Sequence, residues 1–423
     1  MRLGLTGRGW LDRAWKCLAG AWDDFFFTPQ SPTPIALYRI LYGLLIIADL
    51  ALLHGDWLTW YGARGLVSMD TFRKISGGGA SLNLFLIMPQ GDAWIDAFFW
   101  VFLLFAVFLT VGFQSRFSSW AVFLCLSSIQ RRNWYILHSG DTLLLVTGFF
   151  LMFAPTDAAI SIDRLLRIWR GKEGPDMRPC SPWAQRMIQI QTAVVYISTF
   201  CWKTLGTDWV NGTAVYYTTR LVEFQRFPMP TLENGILLKL ATWSTLFVEF
   251  ALGVLVWIRK LRYWILLLGV CLHLSIEYSM NIPLFQWTIM AAYVTFIDPA
   301  DLSRAWGWLR RRITGRLGNP PEVIYDSNSV RSARLANVLR AIDIFGRLRF
   351  VDRHSLEVRT TWPALSGRQG ETSLLIGANG SLLEGFSGLV AISRMVPLLW
   401  WLAPAALVSG SWRQPLRAAK AAK

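Results

Sequence analysis

The residues of this chain whose types and positions suggest chemistry are ionisable side chains inside otherwise apolar runs. Lys203 ends one run, Glu249 lies in the middle of another, and His273 lies within a third. A charge near the centre of a membrane helix costs at least about 2.5 kcal/mol, so such groups usually face a protein interior and mark function. A partly desolvated lysine gives up its proton more readily and can act as a general base. We therefore take Lys203, Glu249 and His273 as candidate catalytic residues.

Each candidate also has a purely structural explanation. Lys203 is close enough to a helix end for its ammonium group to reach the membrane interface while its stem stays in lipid. His273 and Glu277 are four residues apart and share a helix face, where the carboxylate can hold the imidazole in one tautomer. The same pair would equally pin two helices together. Convergence of Lys203, Glu249 and His273 on one cavity would favour catalysis.

A second polar cluster lies between two apolar runs. Arg131 and Arg132 can bind a carboxylate or a phosphate headgroup, although a pair with Asp141 or a surface acid would explain them equally well. His138 lies three residues before Asp141 and extends the cluster. We take these four residues as candidate substrate-binding residues.

Apolar runs long enough to cross a bilayer must position these side chains. A spanning helix needs about 20 mostly apolar residues, and the chain contains about eight such runs, of which the third and the last are short. Only 16% of the residues are charged and 53% are hydrophobic, whereas soluble domains carry about a quarter charged residues. The composition and the runs predict a membrane all-α helical bundle. The predicted spans are Pro34–Leu53, Trp94–Phe113, Phe117–Gln130, His138–Ala154, Trp183–Leu205, Ile236–Ile258, Tyr263–Tyr278 and Pro283–Ile297.

Basic residues cluster beside alternate ends of these runs. With eight spans, all the clusters except the Arg131 and Arg132 pair fall on one side, which the positive-inside rule makes cytoplasmic. We therefore predict a multi-pass protein of a bacterial-type inner (plasma) membrane with both termini in the cytoplasm. The same clusters account for the net charge of +15 and argue against a nucleic-acid partner. The five cysteines show no paired spacing, so neither disulfides nor a metal site are predicted.

Residues 1–30 precede the first span and are predicted to form an interfacial amphipathic segment. Tryptophan and leucine side chains recur there at helical spacing, with Arg13 and Lys16 between them. A helix lying on the cytoplasmic membrane surface has this pattern, and so does a helix packed on the protein itself. The residues that set the spacing are Trp10, Leu11, Trp15, Leu18 and Trp22.

Beyond a basic linker at residues 301–320, polar and apolar residues alternate over residues 321–415. We predict a small C-terminal α/β domain in this region. Its predicted elements are a strand at Glu322–Tyr325, a helix at Val330–Phe345, a strand at Arg347–Val351, and a hairpin of Ser373–Ile376 with Ser381–Leu383.

Several separate motifs between residues 31 and 300, and just before them, resemble the horizontally transferred transmembrane (HTTM) domain. This family comprises bacterial relatives of vitamin K-dependent gamma-carboxylase. The motifs are Phe25-Phe26-Phe27-Thr28-Pro29, Ala36-Leu37-Tyr38-Arg39-Ile40-Leu41-Tyr42-Gly43, Arg132-Asn133-Trp134 with His138-Ser139-Gly140-Asp141, Lys203 with Asp208-Trp209-Val210-Asn211-Gly212, Glu249, and His273.

This resemblance implies an active site that opens to the non-cytoplasmic side. The carboxylase couples oxygenation of a reduced quinone to proton abstraction from glutamate, and Lys203 matches the neighbourhood of its basic lysine. The resemblance adds Arg39, Asn133, Asp208 and Trp209 to the candidate substrate-binding residues and makes a quinone or hydroquinone a candidate cofactor.

The chain also departs from the carboxylase pattern. Thr204 stands where the vertebrate enzymes have the catalytic lysine, and Trp134 stands where they have a histidine. The large lumenal domain that holds peptide substrates is missing, so glutamate carboxylation itself is not expected.

The C-terminal region resembles the thioredoxin-like DCC family, which carries Asp-x-x-Cys-x-x-Cys after its first strand. Here Asp326 is followed by Ser329 and Ser332 at the two cysteine positions, a degenerate redox motif. Thiol–disulfide exchange needs a thiolate, which serine cannot supply at neutral pH. The resemblance therefore implies a thioredoxin-like domain without redox activity.

Two functions of different classes follow from these features. The first is a membrane enzyme acting on a quinone-like or other lipid-proximal substrate at the outer leaflet. The second is a non-catalytic membrane scaffold or lipid-binding protein, in which the polar residues only fasten helices and the bilayer is the main partner. A transporter is disfavoured because no inverted repeat is visible. The sequence names no protein partner.

Overall fold

The structure is a computed structural model that describes residues 7–75, 83–89, 91–314, 322–361, 375–378, 381–384, 388, 390, 392–393 and 395–402. It divides into two compact units. The first unit comprises Met1–Ile162 and Arg178–Pro299, and the second comprises Asp163–Met177 and Ala300–Lys423.

Helices make up most of the first unit, and the second unit contains helices as well. In chain order the α-helices of the described residues are α1 (Gly7–Phe27), α2 (Thr33–Leu53), α3 (Trp57–Tyr61), α4 (Met69–Ile75), α5 (Leu84–Ile87), α6 (Asp92–Val111), α7 (Ser115–Arg132), α8 (Ser139–Met152), α9 (Ile162–Trp169), α10 (Trp183–Thr204), α11 (Thr207–Asn211), α12 (Ala214–Thr218), α13 (Gly235–Gly253), α14 (Arg262–Ser279), α15 (Phe285–Tyr293), α16 (Pro299–Thr314), α17 (Val330–Ile342) and α18 (Leu356–Thr361).

Helices α2, α6, α7, α8, α10, α13, α14 and α15 lie at the eight predicted positions. Within the described residues, three segments are long and apolar enough to cross a membrane, and α8 is apolar but shorter. This architecture fits an α-helical membrane protein, whereas the count of about eight spans stays a prediction. The three segments are Thr33–Tyr61, Asp92–Val111 and Gly235–Gly253.

The outer faces of these helices carry large apolar side chains that the protein leaves exposed. A soluble protein rarely shows so much contiguous apolar surface, whereas a bilayer requires it of every helix that faces lipid. The exposed side chains include Leu44, Trp100, Phe117, Phe247 and Leu267.

Glycines allow helices α2 and α6 to pack closely and allow α6 to end. A Cβ atom on Gly43 of α2 would lie 2.2 Å from Oγ1 of Thr110 on α6, so only glycine permits this approach. Helix α6 then ends at Gly112, whose φ of 71° lies in the left-handed region.

The second unit contains a four-stranded sheet with the order β2-β1-β3-β4. Its strands are β1 (Glu322–Tyr325), β2 (Arg349–Asp352), β3 (Leu375–Ala378) and β4 (Ser381–Glu384). Strands β1 and β2 are parallel and are connected through α17, and β3 pairs with β1 in the antiparallel direction. These elements lie within a few residues of the predicted ones. The thioredoxin-like identity of this region stays a prediction.

Two features of the second unit were not expected from the sequence. Residues up to Thr314 of the predicted linker are helical, in α16, where Asp301 and Arg304 form an ion pair one turn apart. Leu165 of α9 packs against the apolar core around Val323 and Leu339, although it is more than 150 residues away along the chain. The segment Asp163–Met177 therefore belongs to the second unit.

Candidate functional site

Lys203 of α10 and Glu249 of α13 form an ion pair. The carboxylate side chain is 9% exposed and the lysine side chain is 26% exposed, so the pair lies at the edge of the protein interior. The Lys203 ammonium also lies over the indole ring of Trp209, with 4.6 Å from Nζ to the ring centroid. Two helices and the short α11 thus hold this lysine in place.

His273 of α14 is held from both sides of its ring. Nδ1 hydrogen-bonds with Oε1 of Gln286, and Nε2 lies 2.5 Å from the hydroxyl oxygen of Tyr196. Because an amide oxygen can only accept, Nδ1 carries the ring proton, and in the neutral ring Nε2 accepts from Tyr196. The Tyr196 oxygen in turn accepts from the hydroxyl of Tyr293. All four side chains are buried, which makes this a directional network across α10, α14 and α15.

The ion pair and the network around His273 both include a residue of α10. Tyr196 and Lys203 are seven residues apart on α10, so they lie two turns apart on one helix face. The cavity expected between the candidate catalytic residues stays a prediction.

Tyr196, Tyr293 and Gln286 were not predicted from the sequence. The spacing of seven residues from Lys203 could have identified Tyr196, but tyrosine is common in membrane helices and did not stand out. The prediction that Glu277 holds His273 was wrong. Glu277 forms an ion pair with Arg226 at 2.7 Å, because Gln286 and Tyr196 already occupy both nitrogens of the histidine ring.

Two of the three candidate substrate-binding residues at the end of α7, Arg132 and Asn133, contact the main chain. Arg132 is fully buried and donates to the carbonyl oxygen of Gly62 at 3.2 Å, with its guanidinium 5.0 Å from the ring centroid of Phe72. Asn133 is also buried and donates to the carbonyl oxygen of Trp60 at 3.3 Å. Arg131 is exposed. Of the arginine pair, only Arg131 is open to a ligand from outside.

His138 and Asp141 cap the N-terminus of α8. The Asp141 carboxylate accepts from the main-chain N–H of His138 at 2.8 Å, and Nδ1 of His138 accepts from the N–H of Gly140 at 3.0 Å. This reciprocal arrangement satisfies main-chain donors that a helix start leaves unpaired. Capping is the role that these contacts support directly.

Arg39 of α2 is fully buried and joins three parts of the first unit. Its guanidinium donates to the carbonyl oxygens of Thr156 and Ile160, both at 2.6 Å, and to that of Thr110 at 3.3 Å. It does not converge with Lys203, since its partners lie on α6 and on the segment after α8. Its contacts are those of a structural arginine.

Asp208 and Trp209 lie on α11, next to Lys203. Asp208 accepts from the hydroxyl of Thr213 at 3.3 Å, while Trp209 supplies the ring beneath the lysine ammonium. Of the candidate substrate-binding residues, Trp209 is therefore the one that the structure brings into direct contact with a candidate catalytic residue.

The two serines of the degenerate motif lie at the start of α17. The hydroxyl of Ser329 caps the helix by accepting from the N–H of Ser332 at 3.4 Å, and the buried Ser332 hydroxyl accepts from the N–H of Asp326 at 2.9 Å. Burial raises the pKa of Asp326, but hydrogen bonds from His354 and Asn328 and the charge of Arg353 outweigh it and hold that pKa below its usual value. The serines support the local backbone.

No group of three or more His, Cys, Asp or Glu side chains in the described part of the chain could hold a metal ion.

Fold and helix composition define an α-helical membrane protein with a polar region inside its bundle. The HTTM domain model matches residues 27–300, which is more than half of the chain, and the chain belongs to the HTTM domain family. It is similar to the protein of Bacillus subtilis (strain 168) described as "Uncharacterized protein YitO", with 22% identity over 261 residues. That match covers 57% of this chain and 80% of the relative. No solved structure matches the chain.

Proposed function

We propose that this HTTM protein is a membrane enzyme that removes a proton from the acidic hydroxyl of a lipid-soluble, quinol-like substrate at the outer leaflet. The Lys203–Glu249 ion pair carries this proposal. A partly exposed lysine beside a buried carboxylate is a base that a substrate can reach at the edge of the bundle. The resemblance to the carboxylase supports the same residue and substrate class.

The pair can accept one proton in two coordinated transfers. Lys203 passes a proton to the Glu249 carboxylate, and the resulting neutral amine takes the proton of the substrate hydroxyl. The substrate leaves this step as an anion, while the pair becomes an ammonium beside a carboxylic acid. A low local dielectric favours such a transfer, because it makes charge separation within the pair costly.

The network around His273 has a positioning role in this proposal. Tyr196 and His273 hold α10 against α14 and α15, so they fix the helix face that carries Lys203. Trp209 limits the directions from which a substrate ring can approach the ammonium group.

A scaffold or lipid-binding protein is the second candidate. It is favoured by Arg39, Arg132, Asn133, His138 and Asp141, all of which contact the main chain in the structure. In this reading the Lys203–Glu249 pair would be one more fastening between helices.

We further propose that the protein crosses the membrane about eight times with both termini in the cytoplasm, as its basic clusters predict.

We propose that the C-terminal region is a thioredoxin-like module without redox activity, because Ser329 and Ser332 carry no sulfur. This module would serve docking or stability. The full-length protein should therefore fail to reduce a disulfide substrate such as insulin.

The enzyme proposal can be tested with the full-length protein in nanodiscs and decylubiquinol as substrate. Dissolved oxygen is the oxidant in this assay: it takes two electrons from the deprotonated quinol and becomes hydrogen peroxide, so oxygen uptake and the return of quinone absorbance report turnover. Lys203→Arg is the informative variant, because arginine keeps the charge and the partner Glu249 but does not give up its proton. Lys239→Ala removes an exposed lysine from the segment that contacts Gly212, and serves as the matched control.

We expect Lys203→Arg to lose about a hundredfold or more in rate while keeping the wild-type unfolding temperature. Lys239→Ala should turn over like the wild type. A wild-type rate no higher than that of Lys203→Arg would reject the enzyme proposal in favour of the scaffold.

A further inference from the structure

Helix α1 lies almost entirely outside the part of the chain that the HTTM model matches, which begins at residue 27. Along most of its length, its side chains are not packed into the core of the bundle. Four of its large apolar side chains are exposed by more than half of their surface. They are Trp10 at 65%, Trp15 at 73%, Leu18 at 65% and Trp22 at 59%.

Between Trp10 and Phe26, the charges of α1 lie on the opposite side of the helix. At 100° per residue, the charged positions between Trp10 and Phe26 fall within an arc of about 120°, and the apolar ones fill the remaining arc of about 200°. Leu18 lies at the middle of the apolar arc. The charged residues are Asp12, Arg13, Lys16, Asp23 and Asp24.

The C-terminal end of α1 is attached to the bundle. Arg186 at the start of α10 donates to the carbonyl oxygen of Phe25 at 3.1 Å and lies 4.8 Å from the centroid of the Phe25 ring. Ser181 donates to the carbonyl oxygen of Phe26 at 3.2 Å. The attachment fixes this end of α1 beside the first turn of α10, while Trp10, Trp15 and Trp22 remain more than half exposed.

This attachment also places α1 near the membrane boundary. Only residues 28–32 separate α1 from α2, which begins the first segment long and apolar enough to cross a membrane. A chain of five residues spans at most about 18 Å, so α1 ends close to the plane where α2 enters the bilayer. Trp22 lies five residues before this end, about 7.5 Å along the helix.

We propose that α1 lies in the plane of the membrane interface and binds the phospholipid bilayer through Trp10, Trp15, Leu18 and Trp22. Tryptophan prefers this depth, where its ring contacts acyl chains and its N–H meets the headgroups. The helix carries two basic and three acidic residues between Trp10 and Phe26, so this contact rests on apolar insertion and should form on zwitterionic lipid. It would hold the start of α2 at a fixed depth.

Spin labels on opposite faces of α1 test this proposal in the full-length protein. The five native cysteines are replaced, and a label is attached at Leu18→Cys or at Lys16→Cys, in nanodiscs of phosphatidylcholine. Collision with oxygen reports lipid, and collision with a water-soluble nickel chelate reports water. We expect the Leu18 label to collide mainly with oxygen and the Lys16 label mainly with nickel.

Three results would overturn the proposal. Access of nickel to both labels would place the helix in water, and shielding of the Leu18 label from both reagents would place it against protein. Dipolar broadening between two labelled chains would identify a second copy as the partner. If the cysteine-free protein does not fold, the wild-type protein is used instead. It is placed in nanodiscs that contain a lipid with a photoreactive group in its headgroup region. Crosslinks should then occur on α1, and their absence there would reject the proposal.

Discussion

The hydroxyl of Tyr196 on α10 lies 2.5 Å from Nε2 of His273 on α14, with both side chains excluded from solvent. The Tyr196 hydroxyl also hydrogen-bonds with the hydroxyl of Tyr293, and the other nitrogen of the His273 ring hydrogen-bonds with Gln286. The Tyr196 hydroxyl therefore links a network of four side chains. In an apolar bundle, directional contacts of this kind specify which helix faces meet, because apolar packing alone tolerates rotation.

Removal of this hydroxyl should loosen the bundle. Tyr196→Phe leaves Nε2 of His273 and the hydroxyl of Tyr293 without their common partner, at a cost of about 1–3 kcal/mol in the free energy of unfolding. Tyr278→Phe removes a hydroxyl from an exposed ring of α14 and serves as the control. Thermal unfolding in detergent measures both, and equal unfolding temperatures for the two variants would count against a structural role of the network.

The coupling within the Lys203–Glu249 pair can be measured with a double-mutant cycle. Lys203→Met leaves the Glu249 carboxylate buried beside an apolar group. Because the lysine is 26% exposed, we expect a loss of about 1–3 kcal/mol rather than the larger cost of a fully buried pair. Adding Glu249→Leu should recover most of it. Additive losses in the double variant would show that the two charges are not coupled.

Gly112 should not tolerate a side chain. Its φ of 71° is unfavourable for other residues, and a Cβ atom would lie 2.6 Å from Nη1 of Arg39 and 2.5 Å from Cβ of Ser161. Gly112→Ala should destabilise the protein by at least about 1–2 kcal/mol from the backbone alone. Gly55→Ala, which meets no atom within 4 Å, provides the comparison. An unfolding temperature of Gly112→Ala equal to that of Gly55→Ala would contradict the close packing around Arg39.

Asp326 should make the second unit sensitive to acid. Its pKa is held below the ordinary value of 3.8, because hydrogen bonds and nearby positive charge outweigh burial. A carboxyl group whose folded pKa is lowered stabilises the fold above its unfolded pKa, and this stability is lost as the pH falls through the folded value. Stability of Asp326→Asn should therefore be less dependent on pH below 3.8 than that of the wild type. Unfolding curves at several acidic pH values compare the two, and parallel curves would contradict the prediction.

The proposed topology can be examined with reporters that function on only one side of a membrane. Alkaline phosphatase is active only outside, and green fluorescent protein is fluorescent mainly inside. Each reporter is fused to Lys423 or inserted into the segment 206–235. We expect fluorescence from the fusion at Lys423, which would lie inside, and phosphatase activity from the insertion in 206–235, which would lie outside. Phosphatase activity at Lys423 would overturn the model of eight spans with cytoplasmic termini.

The positions of the long helices could be read from the sequence because each depends on a local property. An apolar run of sufficient length becomes a helix wherever it lies, since a bilayer leaves no other way to satisfy its main chain. The ends of α2 and α10 therefore fell within a residue of the predicted ones. Lys203 could be singled out for the same local reason, because it is a charged residue at the end of an apolar run.

The pairing of side chains across helices was decided by the tertiary structure. Glu277 shares a helix face with His273 but pairs with Arg226, and the partners of His273 come from α10 and α15. Likewise, nothing near Arg132 in the sequence indicates that it donates to a carbonyl oxygen 70 residues earlier. A sequence specifies which residues need partners, because burial of a polar group is costly everywhere. Which partner satisfies that need depends on how the helices rotate and cross, and only the assembled bundle sets those distances.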